Sequence, residues 1–312
     1  MNPLSMLFGA GVAVRNVLYD RGTLKVQKLA RPVVSIGNIS IGGTGKTPFV
    51  IALGELLKQR GIAFDVLSRG YGRSSKELAV VDPLGSSQQF GDEPLLIARK
   101  LGAPVIVSAD RFQAGQFAEK QFPSRLHLLD DGFQHRRLHR DFDIVLLPKE
   151  DFAGTLLPVG RLREPLSALR RADAIVAFDP LRIVSSKAQP WAARRVITRP
   201  DVSGKAVAFC AIGRPQQFVD AVKMYKQELT AEISFRDHHR YQQADIERLL
   251  RVKSETGADC FITTEKDLIN LAGLAAQLQP LLTIELRIEL EAPNQALDFL
   301  LDTIERRIGC RV

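Results

Sequence analysis

A buried strand, a glycine-rich loop and a helix meet in Ser35-Ile36-Gly37-Asn38-Ile39-Ser40-Ile41-Gly42-Gly43-Thr44-Gly45-Lys46-Thr47-Pro48, and few folds accept that combination. The apolar run Pro32-Val33-Val34-Ser35-Ile36 reads as the strand, and Phe49, Val50, Leu53, Leu56 and Leu57 recur at helical spacing after the loop. Gly-Lys-Thr at such a joint is the arrangement of a phosphate-binding P-loop. Glycines let backbone N–H groups turn inward around phosphate oxygens, and the helix N-terminus adds partial positive charge. Ser40, Ile41, Gly42, Gly43, Thr44, Gly45, Lys46 and Thr47 form the candidate nucleotide cradle. In it Lys46 reaches the β- and γ-phosphates and Thr47 offers its hydroxyl to Mg²⁺. One position departs from the consensus: Ser40 stands where the first glycine belongs, and Gly42 and Gly43 are the alternative sources of flexibility.

A second signal lies downstream. Leu126-His127-Leu128-Leu129-Asp130-Asp131-Gly132 is an apolar strand ending in carboxylates, the pattern that holds Mg²⁺ beside a P-loop. A plain Asp-Asp-Gly turn is the simpler reading of the same residues. Between the two signals, Ala63–Leu67 and Pro104–Ser108 read as parallel strands. The loop Ser68-Arg69-Gly70-Tyr71-Gly72-Arg73 follows the first of them, at the strand end where α/β folds place ligand contacts. Its arginines and tyrosine suit an anionic or sugar-like group, or simply solvent. Asp92 and Glu93 open a helix, where acids serve as caps, though a catalytic base and a metal contact fit equally. Phe142–Leu147 and Asp173–Phe178 continue the strand series, around a basic loop Leu157–Pro165 that carries Arg163. His139-Arg140-Asp141 imitates a protein-kinase catalytic loop, but no Gly-rich loop, V-A-I-K strand or D-F-G accompanies it.

Composition narrows the partners. A net charge of +8 over 312 residues favours an anionic ligand or surface. No aromatic-rich basic patch supports base stacking, so nucleic acid is not expected. Three scattered cysteines, Cys210, Cys260 and Cys310, lack metal spacing and fit a reducing compartment. The N-terminal run Leu4–Tyr19 is apolar but shorter than the roughly 20 residues a membrane span needs. Arg21, Lys25, Lys28 and Arg31 follow it. An apolar helix with a basic flank suits a membrane interface; packing on the protein's own core is the competing reading.

Periodicity fades across 181–204, which carries Pro190 and Pro200, and a linker is expected there. A second βα series follows: Ala206–Ala211, a helix near Gln216–Tyr225, and a strand at Thr230–Phe235. His238 and His239 then sit beside Asp237 without zinc spacing, which leaves an acid/base or positioning role against a structural one. Thr264-Glu265-Lys266-Asp267 invites comparison with the guanine-reading N-K-x-D motif, but Lys266 abuts Asp267 and the spacing fails. The last helix, near Asn294–Ile308, is amphipathic.

The residues taken together resemble the lipid A disaccharide 4'-kinase family along nearly the whole chain. The matching stretches are Asn16–Gly22, Gly37-Asn38 with Gly42–Pro48, Leu67–Gly72, Gly91–Pro94, Asp130–His135, Asp237-His238 and Thr264–Asp267. Within that family's pattern Ser40 is no anomaly. The resemblance implies a P-loop NTPase-like doubly wound sheet (α/β/α), a second, smaller α/β domain and an N-terminal membrane-interface helix. The expected division is 1–31 for the helix and flank, 32–180 for the kinase core, 181–204 for the linker and 205–312 for the smaller domain, whose last helix packs on either part.

It further implies transfer of the γ-phosphoryl of ATP, with Mg²⁺, to the 4'-hydroxyl of an acylated glucosamine disaccharide 1-phosphate. The place would be the cytoplasmic face of the bacterial inner membrane, with no obligate protein partner. A P-loop ATPase or nucleotide switch at the membrane is the alternative. A sugar hydroxyl is a poor nucleophile, so a carboxylate must take its proton. Asp92 is assigned that task with His238 beside it, and Asp131 is the alternative base. Lys46 offsets developing charge, Thr47 with Asp130 or Glu93 holds the metal, and Arg69, Tyr71 and Arg163 grip the acceptor.

Overall fold

The structure is a computed structural model that describes residues 2–178, 187–198, 204–224 and 227–310. Its N-terminal half runs α1 (Pro3–Asp20), β1 (Val33–Asn38), α2 (Lys46–Gln59), β2 (Phe64–Ser68), β3 (Ala79–Val80), α3 (Ser87–Phe90), α4 (Asp92–Leu101), β4 (Val105–Val107), α5 (Arg111–Gln121), β5 (Leu126–Asp130), β6 (Phe142–Leu147) and β7 (Ala174–Ala177). The C-terminal half holds β8 (Gln189–Thr198), β9 (Lys205–Cys210), α6 (Pro215–Met224), β10 (Glu228–Ser234), α7 (Gln243–Thr256), β11 (Cys260–Thr264), α8 (Glu265–Leu271), β12 (Leu281–Leu290) and α9 (Pro293–Ile308).

The strands form one mixed sheet of 12, in the order β10-β9-β11-β12-β8-β7-β6-β1-β5-β2-β4-β3. Neighbours are parallel except β8 with β12 and β3 with β4. Strands buried on both faces explain the near-continuous apolar runs in the sequence. Val34 and Ile36 of β1 point into a core beneath α2 and α4, while Val33 points into another beneath α5. The C-terminal strands repeat the pattern: Val207 and Phe209 face α7, whereas Ala206 and Ala208 face α6. Helices therefore cover both faces in each half.

Residues 187–198, inside the segment expected to be a linker, are structured. Gln189–Ala192 pair only with β7, and Ala193–Thr198 pair only with β12, so β8 stitches the two halves into one sheet. A strand whose segments each pair on one side tolerates Pro190, which is why proline masked it. The remaining expected linker residues 181–186 and 199–203 lie outside the described residues, as does Tyr225. α9 crosses back to the N-terminal half, where Phe299 meets Phe142 edge-on at 5.9 Å and Leu297, Leu300 and Ile304 enter its core.

α1 begins with Asn2 capping Leu4 N–H at 2.9 Å and proline in the first turn. One face is fastened to the protein. Ser5 Oγ donates to Leu156 O at 2.9 Å, Asn16 donates to Glu164 at 2.8 Å, and Asp20 pairs with Arg136 at 2.7 Å. The opposite face exposes Leu4, Met6, Leu7, Val14 and Val17, with Leu7 74% exposed. No helix among the described residues is long and apolar enough to cross a membrane.

Candidate functional site

The loop between β1 and α2 sits at the centre of the sheet, with β1 flanked by β5 and β6. Gly42, Gly43 and Gly45 all take positive φ, at 73°, 39° and 95°, and Gly45 is the residue from which α2 starts. Side chains are disfavoured there, so the glycines are conformational necessities. Ser40 does not share that geometry. Its hydroxyl donates to Asp151 at 2.6 Å, which anchors the loop's entry, and its backbone needs no positive φ. Asn38 donates to Thr44 Oγ1 at 2.8 Å and ties the loop's two ends together.

Register places Asp130 of β5 opposite Ile36 of β1, so the two strand ends meet beside Lys46. Asp131 turns the chain with φ 50°, one of three non-glycine residues with positive φ among those described. Lys46 lies 3.5 Å from its carboxylate, and Arg163 donates to both its oxygens at 2.7 and 3.0 Å. Burial alone would raise its pKa, but these two cations hold it well below the usual carboxylate range. Asp130 behaves oppositely. Burial, then the nearby Glu93 and Asp131 carboxylates, push it up to about 7. Ser68 donates to one of its oxygens at 3.0 Å, and the other is buried without a partner.

The second cluster joins the halves. Asp92 starts α4 with its carboxylate 4% exposed. It accepts from His238 Nδ1 at 2.9 Å, from Asn270 at 3.1 Å and from the Glu93 backbone at 2.9 Å. Lys266, in the first turn of α8, lies 3.6 Å from Asp92, 3.4 Å from Glu93 and 3.4 Å from Asp237. Burial raises the Asp92 pKa, but the His238 bond and the Lys266 charge outweigh it and bring it to about 2. His238 is lowered by burial and raised more by Asp92, for a net increase, with Lys266 opposing. His238 is another of the positive-φ residues, at 59°, and strained backbone concentrates where a side chain must be aimed.

Glycine contacts connect the clusters. A Cβ added at Gly213 would lie 3.1 Å from Gly42 Cα and 3.1 Å from the Asp237 carboxylate. The loop bearing His238 therefore reaches the β1–α2 loop through one residue. Arg214 next to it lies along Gly43 and pairs with Glu150 at 3.2 Å.

Of the acceptor-side candidates, Tyr71 stands 4.9 Å ring-to-ring from His238 and is exposed, as is Arg69. Arg163 lies elsewhere: its guanidinium is spent on Asp131 and the Asn38 carboxamide. His239 also departs from His238, pairing with Asp245 at 2.9 Å and stacking on Phe235.

Lys266, Asn270, Ser68 and Gln134 reach the site without having been singled out for it. Lys266, Gln134 and Ser68 stand within the matching stretches; Asn270 carries no such signal. Gln134 donates to Asn38 O at 2.8 Å and to Glu164 at 3.1 Å, and Glu164 also holds Asn16 of α1. Among the described residues no three His, Cys, Asp or Glu side chains group as a metal site. A cation here would need Thr47 and nucleotide oxygens besides Asp130.

Comparison with known proteins gives one consistent answer. The family model described as tetraacyldisaccharide-1-P 4'-kinase (LpxK) matches residues 1–305. A tetraacyldisaccharide 4'-kinase of Koribacter versatilis is 53% identical, over 99% of this chain and 100% of the relative. One of Aquifex aeolicus is 38% identical, over 87% and 89%. The crystal structure of LpxK from Aquifex aeolicus in complex with ATP superposes with a TM-score of 0.79 at 33% identity, covering 97% of this chain and 98% of that one. With a match that spans both halves and the strand joining them, the chain belongs to the tetraacyldisaccharide-1-P 4'-kinase family.

Proposed function

We propose that this protein transfers the γ-phosphoryl of ATP to the 4'-hydroxyl of tetraacyldisaccharide 1-phosphate, the lipid A disaccharide. The observation that carries the reading is the Asp92–His238 pair, 2.9 Å apart and drawn from opposite halves, next to a phosphate loop headed by Lys46. The two reactants would meet between these clusters.

Ser40 to Thr47 cradle the ATP phosphates, and Lys46 with the loop amides offsets charge that develops on the transferred group. Thr47 and Asp130 would hold Mg²⁺. Asp130 fits, since it is a buried carboxylate with an orphaned oxygen beside two other acids, an arrangement that a cation relieves. Glu93 is the less free candidate because Lys266 already touches it. When bound, Mg²⁺ neutralises charge on the phosphate oxygens. Arg163 donates to both oxygens of Asp131 and ties that carboxylate down, which leaves Asp92 as the proton acceptor of this reading.

Asp92 is itself a weak base at about 2, yet it is anionic at every physiological pH and rigidly placed. In a loose phosphoryl-transfer transition state the hydroxyl keeps its proton until the new P–O bond forms, when its acidity rises steeply. Position then matters more than basicity. Arg69 and Tyr71, exposed beside His238, would meet the acceptor's sugar and 1-phosphate. The apolar outer face of α1 and the basic residues after it would rest on the cytoplasmic face of the inner membrane, where an acylated substrate resides.

Incubation with ATP, Mg²⁺ and the acylated disaccharide 1-phosphate tests the reading. A new lipid phosphomonoester is expected. ATP hydrolysis without phosphorylated lipid would point instead to an ATPase.

A further inference from the structure

Lys266 occupies a place that local rules disfavour. It lies in the first turn of α8, where the positive end of the helix repels a cation. Its side chain is nearly buried, and every strong partner comes from outside its own helix: Asp92 and Glu93 on α4, and Asp237 and His238 on the loop after β10. A residue that violates its local preference and is held by contacts across the molecule is expected at functional positions.

The contact with His238 is the informative one. Lys266 Nζ lies 3.4 Å from His238 Nε2. An ammonium has three hydrogens and no acceptor, so this approach is favourable only when Nε2 presents its lone pair. On the other side of the ring, Nδ1 lies 2.9 and 3.2 Å from the two oxygens of Asp92, an acceptor-only carboxylate. A neutral imidazole satisfies both neighbours in one tautomer, with its hydrogen on Nδ1. Asn270 then takes an Asp92 oxygen at 3.1 Å and Tyr71 covers the ring at 4.9 Å, which limits how the carboxylate and ring can turn.

We propose that Lys266 is a positioning residue that fixes the Nδ1–H tautomer of His238 and so aims the Asp92 carboxylate at the acceptor hydroxyl. The proposal rests on Asp92 and His238 being the reacting pair. Beyond the pair Lys266 touches Asp237 and Glu93, the less free of the metal candidates, so the tautomer readout rather than turnover alone isolates its effect on the pair. Because it is carried by the C-terminal half and grips α4 of the N-terminal half, the pair is in register only while the halves are closed on each other.

The test uses the full chain with ¹⁵N-labelled histidine, at about pH 9 so that imidazole is neutral. In the unsubstituted protein His238 is expected to show a protonated Nδ1 and an unprotonated Nε2. In Lys266→Met, Nε2 loses its donor and is left facing the Asp237 carboxylate at 3.8 Å, so part of the population is expected to carry its proton on Nε2. Turnover should fall about 10-fold or more while KM for ATP stays within about threefold, and Lys266→Arg should recover both tautomer and turnover. An unchanged His238 signature in Lys266→Met overturns the proposal even if turnover falls, since Lys266 would then be a structural tie only. Full turnover in Lys266→Met overturns it as well. The ¹⁵N measurement needs no substrate, so failure of the lipid kinase reading would appear separately, as absence of product from the unsubstituted enzyme.

Discussion

The two clusters at this site are built on different principles. Lys46, Asp130, Asp131 and Arg163 all come from the N-terminal half, on adjacent strand ends and the turns that follow them. Asp92, His238, Lys266 and Asn270 come from both halves, and 146 residues separate Asp92 from its histidine partner. The first cluster, proposed to hold phosphate, is thus complete within one scaffold. The second, proposed to accept the proton, exists only through the seating of the second half. In this reading nucleotide can bind before the catalytic pair is assembled, which guards ATP against hydrolysis when no acceptor is in place.

Substitutions should separate the clusters. Asp92→Ala is expected to have the largest effect, lowering kcat by about 10²-fold or more with nucleotide affinity retained, as measured by steady-state kinetics and calorimetric ATP binding. Near-normal turnover would return the base to Asp131. Arg163→Met should act on the other cluster. It leaves Asp131 with Lys46 alone, and an effect of about 10-fold, read mainly in the KM for ATP, is expected. A loss confined to the acceptor's KM would instead put Arg163 at the lipid.

Leu4→Ser with Leu7→Ser touches neither cluster. Vesicle binding should weaken by about tenfold for each leucine replaced, given roughly 1.5 kcal/mol or more for each buried leucine, while turnover on a detergent-dispersed acceptor persists. Unchanged partitioning would mean that this face of α1 does not meet lipid.

The smallest effect concerns pH. The Asp130 carboxyl is raised from an ordinary 3.8 to about 7. A raised carboxylate pKa means that the folded state holds the proton more tightly. Its stabilising contribution is full below the ordinary value and is lost as pH rises through about 7. Nucleotide-free protein should therefore lose Tm across that window, and Asp130→Asn should flatten the slope. A Tm slope identical in both proteins would remove the buried, unpaired carboxylate from the account.

How much was legible in the chain follows the same division. The N-terminal strands are buried on both faces and short, so they read directly as apolar runs between turn residues, and the loop from Ser40 to Thr47 announced itself. β12 was legible in principle, since the buried Ile284 and Ile288 alternate in the sequence with the charged Glu285, Arg287 and Glu289. Its charged positions and its place after a run of small residues hid it. β8 was hidden by proline, and α7 exposes most of its length, burying only Ile246 and Leu249. At the site, Asp92 and His238 stood out by chemical type and motif, and the structure places them 2.9 Å apart. Lys266 did not, because its role depends on two loops meeting α8 across the sheet, and no local spacing encodes that. Arg163 sat in a loop that looked open, whereas its partner Asp131 lies 32 residues upstream.

A double-mutant cycle on Asp92→Asn and His238→Gln, read as single-turnover phosphoryl transfer to the acylated disaccharide, tests most directly whether the cluster drawn from both halves acts as one catalytic unit. The account predicts that the double variant is scarcely slower than the worse single variant, because removing either partner already disables the pair. Losses that multiply would contradict it and leave the two residues with independent tasks.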